Sequence, residues 1–243
     1  DLPPIDLFFK MHGTGEQMAE CCGYCVQDTM LPLRLVEKNK ILIRLISMAN
    51  ITRVPIEWLI TRGQQIKVFS QISYESLKSE ILIPTWEIPE DAPEEKYLGA
   101  TVLHAKKGAY FEGVSGLDFK SLYPSIMIAF NLCYSTMILD RDLDEFHNNP
   151  DLEIETISWE QDGETQTYNY VQNIKGVVPN ILDKLWKQRN SIKKLMKKAK
   201  ADGDYDLASI YDVEQLAVKV SMNSVYGFTG ASKGYLPKKP IAS

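Results

Sequence analysis

At 243 residues, with 44% hydrophobic and 24% charged side chains, the chain has an ordinary globular composition, long enough for one large domain or parts of two. A formal net charge of −5 argues against a uniformly basic nucleic-acid coat, although a local basic stripe can still attract phosphates. No apolar run reaches the roughly 18 residues of a membrane span, and Cys21, Cys22, Cys25 and Cys133 are too few for a disulfide framework at this length, which suits a reducing compartment.

The chain opens at Asp1 without a methionine and stops after Ile241-Ala242-Ser243, which reads as a piece of a longer protein. After an apolar cluster of Ile5, Leu7, Phe8 and Phe9, the pattern from Glu16 to Lys38 is helical, with Gly23 and Pro32 expected to bend or interrupt it. Cys22-x-x-Cys25 has no second pair and only His12 nearby, so buried thiols on a helix are expected rather than zinc. Tyr24 and Asp28 lie four apart and share a helix face; on chemistry alone they are an ordinary Tyr–carboxylate pair. Thr61 to Ile72 carries polar, glycine-containing and apolar portions in turn, with no chemistry assignable to single side chains. Pro84, Pro89 and Pro93 among Glu87, Glu90, Asp91, Glu94 and Glu95 predict a solvated, extended connection. Tyr97-Leu98-Gly99-Ala100 then reads as a turn, and Thr101–His104 and Tyr110–Phe119 as two strands around Lys106-Lys107-Gly108.

Leu117 and Phe119 flank Asp118 as in a buried strand that delivers a carboxylate to its end. Pro124 suits the first turn of a helix whose buried face would be Ile126, Met127 and Phe130, with Asn131 as its stop. Strand, carboxylate, tight turn and helix N-terminus together can hold a metal and an anion. Between Asp140 and Glu164 there are ten acidic residues and one basic residue, Arg141, which predicts a solvated insertion, lying away from DNA, with a hairpin around Asp162-Gly163.

From Pro179 a helical pattern carries Ile181, Leu182, Leu185, Ile192, Leu195 and Met196, and Lys184 to Lys200 holds eight basic residues and no acid. A turn at Ala201–Asp204 leads to a second helix through Leu207, Ile210, Leu216 and Val220, with Gly227 at its expected end. Arg189 and Lys193 project together on the first helix; Lys219, Asn223 and Tyr226 share a face of the second. A solvated helix face is the alternative for the basic run, but facing Arg and Lys side chains suit phosphate binding.

Asp118-x-x-Ser121-Leu122-Tyr123-Pro124-Ser125-Ile126 resembles motif A of family B DNA polymerases, and Lys219-Val-Ser-Met-Asn223-Ser224-Val-Tyr226-Gly227-Phe228-Thr-Gly resembles their motif B. Tyr24-Cys-Val-Gln-Asp28 resembles the third motif of the family's 3′–5′ exonuclease, Thr61–Ile72 a segment between exonuclease and palm in delta-like and viral members, and Tyr97-Leu98-Gly99-Ala100 the motif that touches template–primer. The resemblance implies an α+β fold: a palm with a mixed sheet and helices, an antiparallel helical fingers hairpin, and before them the C-terminal edge of an RNase H-like exonuclease domain. It implies exonuclease edge at 1–48, connection at 49–96, palm at 97–174 with an insertion at about 140–165, fingers at 175–228, and a return to the palm from 229.

By the same resemblance Asp118 binds two Mg2+ ions, the backbone at Ser121 and Leu122 cradles a dNTP, and Tyr123 excludes a 2′-hydroxyl. Arg189, Lys193 and Lys219 would hold phosphates, Asn223 and Tyr226 the nucleotide pocket, and Tyr97, Gly99 and Ala100 would contact DNA. Asp28 would ligate an exonuclease metal and Tyr24 orient its water. The implied partners are template–primer DNA and dNTPs, with a sliding clamp or other processivity factor engaged through regions outside this chain, at the nucleus or a viral replication site, and no membrane. The family's Asp-Thr-Asp motif is absent from these residues, so this polypeptide alone is expected to be inactive. The other reading is an inactivated family B module that binds DNA or replication partners.

Overall fold

The computed structural model describes residues 3–83, 103–161, 163–231 and 234–242. The chain forms two compact units, Asp1–Ile46 and Ser47–Ser243.

In the first unit, α1 (Pro4–Met11) packs on α2 (Gly15–Lys38). Thr14 and Gln17 form a reciprocal capping box at the start of α2, satisfying two otherwise orphaned donors. The helix then runs through Gly23 and Pro32 without interruption, although Pro32 has no N–H to offer and an interior proline costs about 3 kcal/mol. Cys21 is buried and donates to the Leu7 carbonyl, whereas Cys22 and Cys25 are exposed, contrary to the expectation of buried thiols throughout. Two helices enclose little volume, and Ile5, Phe8 and Phe9 stay exposed. A third helix, α3 (Ile41–Thr52), carries the chain past the division.

The second unit is built on three helices that pack pairwise: α5 (Gln65–Lys78), α8 (Val177–Ala201) and α9 (Tyr205–Thr229). The short α4 (Ile56–Thr61) precedes them, and α6 (Leu122–Ala129) packs on both α8 and α9. Val68 and Ile72 from α5, Val178 and Leu182 from α8, and Val218, Met222, Val225 and Phe228 from α9 form the core. The apolar spacing of α8 is borne out by buried Ile181, Leu182, Leu185 and Ile192, but Leu195 and Val220 are nearly half exposed. Asp204 caps α9 by accepting from the Leu207 N–H at 2.9 Å. Gly227 lies inside α9, which continues to Thr229 and ends at Gly230, because the last turn is held by packing of Phe228 and Thr229.

The acidic stretch and its flanks contain α7 (Leu143–His147) and the strands β1 (Met137–Ile138), β2 (Ile154–Gln161) and β3 (Glu164–Val171), in a sheet of order β1-β3-β2. The expected hairpin is there, its register running from Ile154↔Val171 to Gln161↔Glu164, with Gly163 at φ 84° in the turn. Trp159 stacks on Tyr168 diagonally across the strands, with ring centroids 5.3 Å apart. Every strand pair among the described residues is antiparallel, where a mixed sheet was expected. Tyr170 is buried, donates to the Pro240 carbonyl at 2.9 Å, and has its phenol pKa raised by that burial. Pro240 belongs to the terminal α10 (Lys239–Ala242).

Neither of the two predicted strands is found among the described residues. Residues 103–104 and 110–119 have no regular structure, and Leu117 and Phe119 are 98% and 74% exposed rather than buried. A strand persists only when a neighbour takes up its N–H and C=O groups, and no ladder among the described residues pairs with this segment. Calls on Thr101, Val102 and the connection at 84–96 fall outside the described residues.

Candidate functional site

Asp118 lies near the end of the exposed irregular segment, three residues before Ser121, which sits at the N-cap of α6 with φ 57° and ψ 59°. A non-glycine residue there costs roughly 1–3 kcal/mol, and the conformation turns the chain sharply onto the helix. Pro124 falls within the first turn as its chemistry dictates, and Pro124 and Met127 are buried. Ile126 and Phe130 were expected on the same buried face but remain about two-fifths exposed, since an eight-residue helix covers only a narrow strip of α8 and α9.

Asn131 terminates α6 at φ 50° and does more than stop it. Its buried amide donates to the carbonyls of Val171 and Ile174, each at 2.7 Å, and accepts from the Gly176 N–H at 2.9 Å. Thr136 Oγ1 donates to the Asn131 carbonyl at 2.6 Å. The end of α6, the end of β3 and the start of α8 are thus tied at one residue. Gly176 must be glycine, because a Cβ there would come within 2.6 Å of the Cys133 Cβ.

This framework brings Tyr123 on α6 against Tyr226 on α9, their rings stacked 4.0 Å apart at 12°. The two residues are distant in sequence, and each came from a separate motif. On the facing helices Arg189 is half-buried and donates Nε–H to Gln215 Oε1 at 3.2 Å. Lys193, Lys219 and Asn223 are exposed, with Lys219 one helical turn beyond Gln215. Lys120 Nζ lies 5.4 Å from the Trp186 ring centroid, linking the turn after Asp118 to α8. On α9, Lys219, Asn223 and Tyr226 share one helix face, with Tyr123 stacked against the last of them.

Three further residue sets were expected to contribute. Asp118 belongs to no group of three or more potential metal ligands among the described residues, so by itself it does not fit an enclosed ion site. In the first unit Tyr24 is half-buried and Asp28, one helical turn on, is exposed; the Asp28 charge, then partial desolvation and the hydrogen bond to Asp28, raise the Tyr24 phenol pKa. Tyr97, Gly99 and Ala100 lie outside the described residues.

Sequence reasoning missed the support beneath the helical pair. Lys67, Gln71 and Glu75 recur every four residues on α5, and all three are buried. Gln71 accepts from Ser221 Oγ on α9 at 3.1 Å and donates to the Ile51 carbonyl at 3.2 Å. One Glu75 oxygen accepts from Asn180 Nδ2 at 2.7 Å and from Lys184 Nζ, both on α8. The signal was a polar stripe at helical spacing among apolar residues, which reads equally well as a solvated face.

Residues 54–243 match the family model described as DNA polymerase family B. The chain belongs to that family. Its family B relatives include a DNA polymerase of Paramecium bursaria Chlorella virus NY2A, 40% identical over all of this chain and 26% of the relative. The DNA polymerase delta catalytic subunit of Candida albicans is 39% identical over 96% of the chain and 21% of that subunit. That of Plasmodium falciparum is 42% identical over 90% of the chain and 19% of the subunit. The family B chain therefore spans about a quarter or less of these relatives' lengths. The family B DNA polymerase of Pyrobaculum calidifontis has the same fold over 94% of this chain and 28% of its own, with a TM-score of 0.69 at 24% identity. No helix among the described residues is long and apolar enough to cross a membrane.

Proposed function

We propose that this chain is the central part of a replicative DNA polymerase that adds dNTPs to a primer 3′-hydroxyl under template direction. The observation that carries the reading is the Tyr123–Tyr226 stack, which joins the two polymerase motifs across α6 and α9. Residues 175–228 act as fingers, 97–174 as the first part of the palm with an acidic insertion, and 229–243 as the return to it. Residues 49–96 connect to 1–48, the edge of a proofreading exonuclease in which Asp28 ligates metal and Tyr24 orients water.

Arg189, Lys193 and Lys219 bind the triphosphate, Arg189 by its planar fork and the lysines as compact charges. Ser121 and Leu122 present backbone to it at the α6 N-terminus. Asn223 and Tyr226 border the nascent base pair, while the Tyr123 ring closes the space a 2′-hydroxyl would need. Closure of the helices over a matched pair couples base-pair shape to assembly of the site. Asp118 is this chain's carboxylate for Mg2+, which when bound neutralises phosphate charge; the remaining ligands come from residues outside this chain. Tyr97, Gly99 and Ala100 contact template–primer, and a processivity clamp binds elsewhere in the whole protein.

In the full-length polymerase, Tyr123→Ala should admit ribonucleotides in a competition assay; unchanged discrimination removes the gate. Asp118→Asn should reduce primer extension roughly a thousandfold, the scale of several kcal/mol of lost transition-state stabilisation. Retained extension would overturn the catalytic assignment of Asp118, whereas an inactivated DNA-binding module would extend no primer even with Asp118 in place.

A further inference from the structure

The Arg189 guanidinium is not free to choose how it meets an anion. It carries donors on Nε and on two Nη nitrogens, and an oxyanion can be gripped either along the Nε edge or end-on by the Nη pair. In this structure the Nε–H is already given to Gln215 Oε1 at 3.2 Å. Gln215 is 8% exposed, and its other amide atom, Nε2, donates to Asp212 Oδ1 at 3.0 Å. An ionised carboxylate only accepts, so Asp212 fixes the amide with nitrogen toward itself and oxygen toward Arg189. A chain of two hydrogen bonds, Asp212 to Gln215 to Arg189, therefore crosses from α9 to α8 and sets the rotation of the guanidinium.

We infer that Gln215 is a positioning residue for triphosphate binding: by occupying Nε it leaves the Nη edge of Arg189 to grip phosphate end-on. Gln215 lies one turn before Lys219 on α9, so the same stripe that places one cation orients the other. A neutral amide suits the task. It holds the guanidinium without neutralising it, whereas a carboxylate in its place would compete with phosphate for the same charge. The inference rests on the reading of Arg189 as a phosphate ligand.

The test is steady-state kinetics of the full-length polymerase with Gln215→Leu, Gln215→Glu, Arg189→Ala and the Arg189→Ala/Gln215→Leu double variant. Both the KM for dNTP and the KM for pyrophosphate in the reverse reaction are read. Gln215→Leu should raise both constants about tenfold, the scale of one hydrogen bond to a charged group, with kcat within about threefold. The nearly isosteric Gln215→Glu should raise them at least as much, which keeps the test decisive if the Leu variant melts early. The double variant should be no worse than Arg189→Ala alone, since Gln215 acts only through that arginine. If Arg189→Ala leaves both constants unchanged, the phosphate assignment of Arg189 fails and the inference goes with it. If Arg189→Ala raises them but both Gln215 variants bind like wild type, lose only kcat, or multiply with the arginine change, positioning by Gln215 is overturned while the phosphate assignment stands.

Discussion

The helical pair α8–α9 and the segment 103–119 both carry residues of the proposed polymerase site, and both are rich in apolar side chains. Only the pair is built. An α-helix satisfies its own backbone within each turn, so α8 and α9 need only bury a stripe against each other, α5 and α6. An extended segment satisfies nothing by itself, and residues 103–119 leave Phe111 and Leu117 each 98% exposed. Local order follows from whether hydrogen-bond partners lie near in sequence, not from hydrophobicity.

Several measurements would sharpen or break that contrast. The largest stability effect should come from Asn131→Ala, which strips three buried side-chain hydrogen bonds where α6, β3 and α8 meet and also places a β-carbon residue without a local side-chain bond in the left-handed region. A loss of roughly 3–4 kcal/mol is expected in denaturant unfolding of the second unit. A value below about 1 kcal/mol would mean that the packed half does not depend on this junction.

Glu75→Ala should cost roughly 2 kcal/mol, because it leaves Asn180 without its acceptor while Lys184, half exposed, recovers water. An unchanged midpoint would show that α8 and α9 stand without α5.

The smallest effect is the pH dependence contributed by Asp183. Hydrogen bonds from Lys175 and then Lys187 hold its carboxyl below the usual range. Because the folded pKa is the lower one, the stabilisation is present above the unfolded value and fades as pH falls through the folded value. Wild type minus Asp183→Asn should therefore show under ~1 kcal/mol of stability, disappearing below the ordinary carboxylate range in acid melts. A difference that grew in acid would contradict the pairing.

The same physics explains what could be read from residues alone. Pro124 and Asn131 bounded α6 because one lacks an N–H and the other tolerates a left-handed φ. The apolar spacing of α8 and α9 and the turn at Gly163 were legible because each is set by near neighbours. Lys40, Arg53 and Glu80 follow the ends of α2, α3 and α5 with φ near 50°, yet none is a glycine, so the usual stop signal was silent. Arg53 gains something glycine could not, lying 3.7 Å over the Tyr74 ring. Gln71, Glu75 and Gln215 were overlooked for a related reason: a buried polar side chain is distinguished from a solvated one only by its partner, and the partners lie up to 150 residues away. In the proposed site, motif residues were visible and the buried polar groups paired with the helices were not.

One consequence concerns reagents rather than substrates. Cys133 is fully buried, accepts the Val178 N–H at 3.3 Å, and faces Gly176 with no space for even a methyl group. Cys22 and Cys25 face solvent. In a Cys21→Ser variant, which removes the other buried thiol, a maleimide should therefore mark the two exposed thiols at once and wait on Cys133 until the start of α8 lifts from the Asn131 junction. The rate of that slow labelling counts openings of the junction, so the protein carries its own clock for local unfolding.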